Sequence, residues 1–95
     1  MIGFRVEWDP TVDAQFINAW IAADSDLRRK LTDIGNWIDR ELAVDPEGKG
    51  EYQPDFDMRT LAVSVPTAAR VSVAYRVFAD DRLVRVVQLT FKAMH

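Results

Sequence analysis

The sequence predicts one α+β domain over residues 1–95, of order βααβββ, with a helical hairpin on one face of a small, mostly antiparallel four-stranded sheet. Three observations lead there. Segments 3–8, 58–65, 70–78 and 83–92 have strand length and alternate or run β-branched. Between the first two, apolar residues recur at three- and four-residue spacing, the period of amphipathic helices. The last third, RVSVAYRVFADDRLVRVVQLTFK (70–92), reads as a hairpin, because Asp80 and Asp81 supply turn chemistry between two apolar runs.

In chain order, Phe4, Val6 and Trp8 alternate with Arg5 and Glu7, a strand with one buried face. Asp9 is suited to cap a helix whose first position, Pro10, needs no N–H donor. Val12, Phe16, Ala19, Trp20 and Ala23 then form a stripe that Ile17 and Ile21 widen, ending near Ala22. Asp24-Ser25-Asp26 offers a second cap, followed by Leu27, Leu31, Ile34, Ile38 and Leu42 on the face of a second helix. The short break implies an antiparallel helical pair. Gly35 costs about 1 kcal/mol inside a helix, so a close approach by another element is expected there. Arg28, Arg29 and Lys30 read as a solvated face.

Residues 45–54, DPEGKGEYQP, are turn chemistry and the longest loop. A strand over 58–65 ends at Pro66, and residues 66–69 lead into the hairpin. There, Val71, Val73, Tyr75 and Val77 share one face, with Arg70, Ser72, Ala74 and Arg76 on the other. In the last strand the pattern sets Leu83, Val87, Leu89 and Phe91 against a mixed face of Val84, Val86, Gln88, Thr90 and Lys92. The expected core is Phe16, Trp20, Leu31, Ile34, Ile38, Tyr75, Val87 and Leu89.

Composition narrows the function. Without cysteine there is no disulfide framework, thiol nucleophile or cysteine-held metal. Glu7, Asp33, Asp39 and Glu41 fall on separate faces without converging histidines, so neither metal nor cofactor is expected. Charges replace the apolar run of a signal peptide, and no stretch approaches about 20 apolar residues, so a soluble cytoplasmic protein without a membrane partner is expected. The net charge is −3, but its distribution is uneven. Residues 1–58 hold thirteen acidic and six basic side chains, whereas 59–95 hold six basic and two acidic. The positive potential belongs to the carboxy-terminal sheet.

The ordered combination of V-E-W-D-P (Val6 to Pro10), I-D-R-E-L followed by D-P-x-x-x-G (Ile38 to Gly50), R-x-L (Arg59 to Leu61) and V-x-Y-x-V-x-x-D-D-x-x-V-x-V (Val73 to Val86) resembles the RelE/ParE family of bacterial type II toxin–antitoxin systems. The resemblance implies a toxin wrapped by a cognate antitoxin. A RelE-like member is a metal-independent endoribonuclease cutting messenger RNA on the ribosome with basic residues and often a tyrosine. A ParE-like member poisons DNA gyrase. In R-x-x-Y of the nuclease branch an arginine stands three positions before the tyrosine, whereas here Ser72 precedes Tyr75 at that spacing. Arg70 shares the face of Ser72 and could substitute only with a shift of roughly 7 Å along the strand.

The catalytic candidates under that resemblance are Arg70, Arg76, Lys92 and the terminal His95, with no credible acid–base pair among them. Arg59 and Tyr75 read as structural, Arg59 by pairing with a helix carboxylate and Tyr75 as core. The expected antitoxin or target surface is Arg70, Ser72, Arg76 and Lys92, small and cationic. The reading is a ParE-like or catalytically degraded toxin acting through protein binding. The alternative is a RelE-like nuclease with relocated basic residues.

Overall fold

The computed structural model describes residues 3–65 and 69–93. Strand β1 (Arg5–Trp8) leads into helix α1 (Pro10–Ala22), helix α2 (Ser25–Ala43), a short edge strand β2 (Glu51–Gln53), and the long strands β3 (Met58–Val65), β4 (Ala69–Phe78) and β5 (Leu83–Ala93). They build one sheet of order β1-β5-β4-β3-β2. β1 joins β5 in parallel and the other neighbours are antiparallel. Both helices pack on the same face, since Val12, Leu31, Ile34, Ile38 and Leu42 form one cluster with Val71, Val73, Tyr75, Val84 and Val86. No helix among the described residues is long and apolar enough to cross a membrane.

Local chemistry sets the helix ends. Asp9 accepts the Thr11 amide at 3.0 Å and Asp24 that of Leu27 at 2.9 Å, each neutralising a donor the helix cannot use itself. α1 ends without a basic residue in its last turn, and Arg28 of α2 takes on that task. Its Nε and Nη2 donate to the carbonyls of Trp20 and Ile21 at 2.9 and 2.8 Å. Arg28 is thus a tie between the helices, whereas the sequence assigns the whole basic run to solvent.

The sheet has five strands where the sequence predicts four. Glu51–Gln53 lies inside the expected loop, too short to display alternation, yet its backbone pairs with Met58–Thr60. Gly50 permits this approach: its φ is +68°, and a Cβ there would stand 2.5 Å from the Thr60 carbonyl oxygen.

The second correction concerns β5. Ala74 pairs with Gln88 but Tyr75 with Val86, so Val87 is an extra residue in the ladder, a β-bulge. A single inserted residue reverses the facing of everything beyond it. Val84 and Val86, expected on the mixed face, are therefore fully buried, while Val87 and Leu89 are only partly buried.

The helical core also differs from expectation. Leu31, Ile34 and Ile38 are buried as predicted, but Phe16 is half-buried and Trp20 is 39% exposed. Ile17 and Ile21, expected to widen the stripe, are exposed. α1 buries only Val12 fully, so α2 is the helix that carries the core. The apolar stripe of α1 is wider than the strip of sheet it meets.

The close approach expected at Gly35 is made by Phe16, whose ring would lie 3.4 Å from an added Cβ. That is ordinary contact for a methyl group. Gly35→Ala is therefore expected to stabilise the fold by about 0.5–1 kcal/mol through helix propensity. The denaturation midpoint should rise, and a fall would mean that the Phe16 ring cannot adjust.

Candidate functional site

The sheet face opposite the helices carries no covering element among the described residues. Its centre is β4, where Arg70, Ser72 and Arg76 are exposed and Ala74 is sheltered by longer neighbours. The register sets Lys92 opposite Arg70, Thr90 opposite Ser72, Gln88 opposite Ala74 and Arg85 opposite Arg76. On the other flank Thr60 faces Ala74 and Ala62 faces Ser72. Three of the predicted surface residues are thus exposed on one strand, and the fourth, Lys92, lies beside them in the ladder. His95 lies outside the described residues.

Along β4, six residue steps lead from Arg70 to Arg76, about 20 Å at the strand rise. Basic positions therefore bracket a middle of hydroxyls, an amide and methyl groups. The Arg76/Arg85 end is tempered on β1, where Glu7 meets Arg85 at 3.7 Å and Arg5 at 3.2 Å. These pairs are exposed and weak, so they orient the side chains without cancelling the local field. Among the described residues Arg76 reaches a backbone carbonyl, that of Phe56 at 3.4 Å, and no carboxylate.

Sequence pattern alone does not group Arg85 with this surface, because it shares the parity of Leu83 and Val87. The bulge explains the miss. Consecutive apolar residues at Val86 and Val87 break the alternation, and that break is the signal that would have placed Arg85 correctly.

Tyr75 and Arg59 are partners in the β3–β4 register and serve the segment before β2. The Tyr75 hydroxyl, fully buried, lies 2.8 Å from the Pro46 carbonyl oxygen and 2.9 Å from that of Lys49, sharing its proton between them. Arg59 Nε donates to the same Lys49 carbonyl at 2.8 Å. Its structural role is therefore met by a backbone oxygen, where the sequence reading expects a helix carboxylate. Lys49 in turn reaches the Glu41 carboxylate at 2.9 Å and the Glu41 carbonyl at 2.6 Å, pinning the segment to the end of α2. Burial raises the Tyr75 pKa above its ordinary value, an effect the neighbouring Arg59 opposes.

Chemically, the open face can attract acidic groups at two separated places and offer short polar contacts between them. Two basic positions face each other at either end, Arg70 with Lys92 and Arg76 with Arg85, and the two ends stand about 20 Å apart. No cluster of three or more metal-ligating side chains occurs among the described residues. No family model, curated protein or solved structure significantly matches the chain.

Proposed function

We propose that the chain acts by binding a protein partner across the uncovered face of its sheet, as a ParE-like or catalytically degraded toxin held by a cognate antitoxin. The observation that carries this reading is the spacing of the basic residues. Arg70 and Arg76 stand at opposite ends of one strand face, about 20 Å apart, with Ser72 between them. One phosphate cannot engage both. A polypeptide segment with acidic groups near its ends can, and a helix of about thirteen residues has that length.

The nuclease reading has less support. Stabilising a phosphoryl transition state requires cations converging on one group, and proton transfer requires an acid and a base within reach. Tyr75 faces the core side, its hydroxyl is engaged by two carbonyls, and burial raises its pKa instead of lowering it toward neutrality. Ser72, where the nuclease branch of the resembled family places arginine, is exposed on the opposite face and brings no charge. DNA gyrase is accordingly the favoured target class over the ribosome and its messenger RNA.

The test is a titration against the product of the adjacent gene. Arg70→Ala and Arg76→Ala are each expected to weaken binding roughly five- to tenfold and to flatten its salt dependence, since each removes one steering charge. Unchanged affinity and salt response in both variants would move the interface elsewhere. The same protein is expected to inhibit gyrase supercoiling and to leave ribosome-bound messenger RNA intact. Cleavage of that RNA would restore the enzymatic reading.

A further inference from the structure

On the helical side, a hollow of about 430 Å³ opens where α1, α2 and the end of β1 meet. Its aromatic walls are Trp8, Phe16 and Trp20, its carboxylates are Asp13 and Asp39, and Gly35 keeps side-chain bulk out. The walls are held in place. Trp8 and Phe16 meet edge-to-face with centroids 5.2 Å apart, and the Trp20 indole nitrogen donates to the Thr32 hydroxyl at 3.3 Å.

Asp39 is similarly fixed. Its Oδ1 accepts the Trp8 indole N–H at 2.9 Å, which orients the carboxylate and leaves Oδ2 available. Among the described residues neither Asp13 nor Asp39 forms an ion pair: α1, which carries Asp13, has no basic residue, and the arginines and lysine of α2 do not pair with Asp39. The hollow therefore combines electron-rich ring faces with two carboxylates not matched by cations, and it has the size of small-ligand sites.

We propose that this hollow receives the guanidinium group of an arginine side chain presented by a partner polypeptide. Guanidinium fits better than ammonium for two reasons. It is planar and weakly hydrated, so it stacks on indole with little desolvation cost, and its fork of donors matches a carboxylate edge. The chain itself already uses this pairing on one face of Trp20, which Arg28 occupies at 4.6 Å from the ring centre, so that face is not open to a ligand. The site lies across the core from the cationic sheet face and has the opposite charge, so the two surfaces select different parts of a partner.

The probe is a capped pentapeptide, acetyl-Gly-Gly-Arg-Gly-Gly-amide, titrated into the intact protein while the indole N–H resonances of its three tryptophans are followed. Saturable shifts are expected at Trp8 and Trp20, with Trp37 unmoved. The citrulline analogue, which keeps the shape and loses the charge, is expected to bind at least about tenfold more weakly, and the lysine analogue about threefold more weakly. Asp13→Asn and Asp39→Asn should each weaken the arginine peptide about five- to tenfold. Asp39→Asn retains an oxygen for the Trp8 N–H, and an unchanged denaturation midpoint separates lost binding from lost folding. The proposal fails if the shifts do not saturate, if citrulline binds as well as arginine, or if both asparagine variants bind like the parent.

Discussion

Replacing Tyr75 by alanine is expected to destabilise the fold by about 3–5 kcal/mol, and by phenylalanine by about 1–3 kcal/mol, measured by chemical denaturation. The two variants separate the functions of the ring and the hydroxyl. The ring is fully buried among strand valines and α2, so its removal leaves a cavity in the core. The hydroxyl supplies the side-chain donor to the Pro46 carbonyl, whereas the Lys49 carbonyl keeps Arg59. Phenylalanine therefore strands one acceptor beside a buried proline and loosens residues 45–50.

This interaction also carries a pH signature. The folded pKa of Tyr75 is raised, chiefly by burial, so the folded state holds its proton more tightly than the unfolded chain. The associated stability is fully present below the unfolded tyrosine value of about 10 and is lost as pH rises through the folded value. Tyr75→Phe should abolish that part of the alkaline loss. An unaltered alkaline profile in the variant would remove Tyr75 from the account.

Ile34→Ala is expected to cost about 2–5 kcal/mol in the same measurement. Ile34 is 1% exposed and sits in the middle of the α2 stripe, between Leu31 and Ile38. Beneath it, β4 is held by neighbours on both sides, so the sheet cannot rise to fill the space. The contrast is α1, where Ile17→Ala and Ile21→Ala should change stability by less than about 0.5 kcal/mol because both side chains face solvent. A near-zero effect at Ile34 would contradict its placement.

What was legible in the sequence follows from how each signal is encoded. Helix starts are local chemistry, and Asp9 with Pro10 and Asp24 announced them correctly. Long alternating strands are also local, so β3, β4 and β5 could be placed within a residue or two. Facing on β5 was not, because a bulge is fixed by what a strand pairs with, and Val87 looks apolar on either side. β2 was hidden for a related reason: its three residues become a strand only when β3 lies beside them. Arg70, Ser72 and Arg76 could be grouped from parity alone, whereas Arg85 required the bulge. The hollow beside Trp8 and Trp20 left no mark in the pattern, since periodicity assigned Trp20 to the core and gave no account of how α1 would roll.

The pairing of β1 with β5 sets the order in which the chain can assemble. Among the strands of this sheet a ribosome delivers β1 first and its neighbour β5 last, so the strand carrying Val6 and Trp8 has no ladder to join until the other strands have been made. Contacts so distant along the chain close late, after the local ones have formed. The helices are made early, and α2 already offers β1 a resting place: the Phe4 amide donates to the Ala43 carbonyl at 2.9 Å, and the Trp8 indole reaches Asp39. A nascent β1 can therefore lie against α2 with its apolar side shielded while the β4–β5 hairpin emerges. Its apolar face is then less open to contact with other nascent chains until β5 arrives to pair its edge.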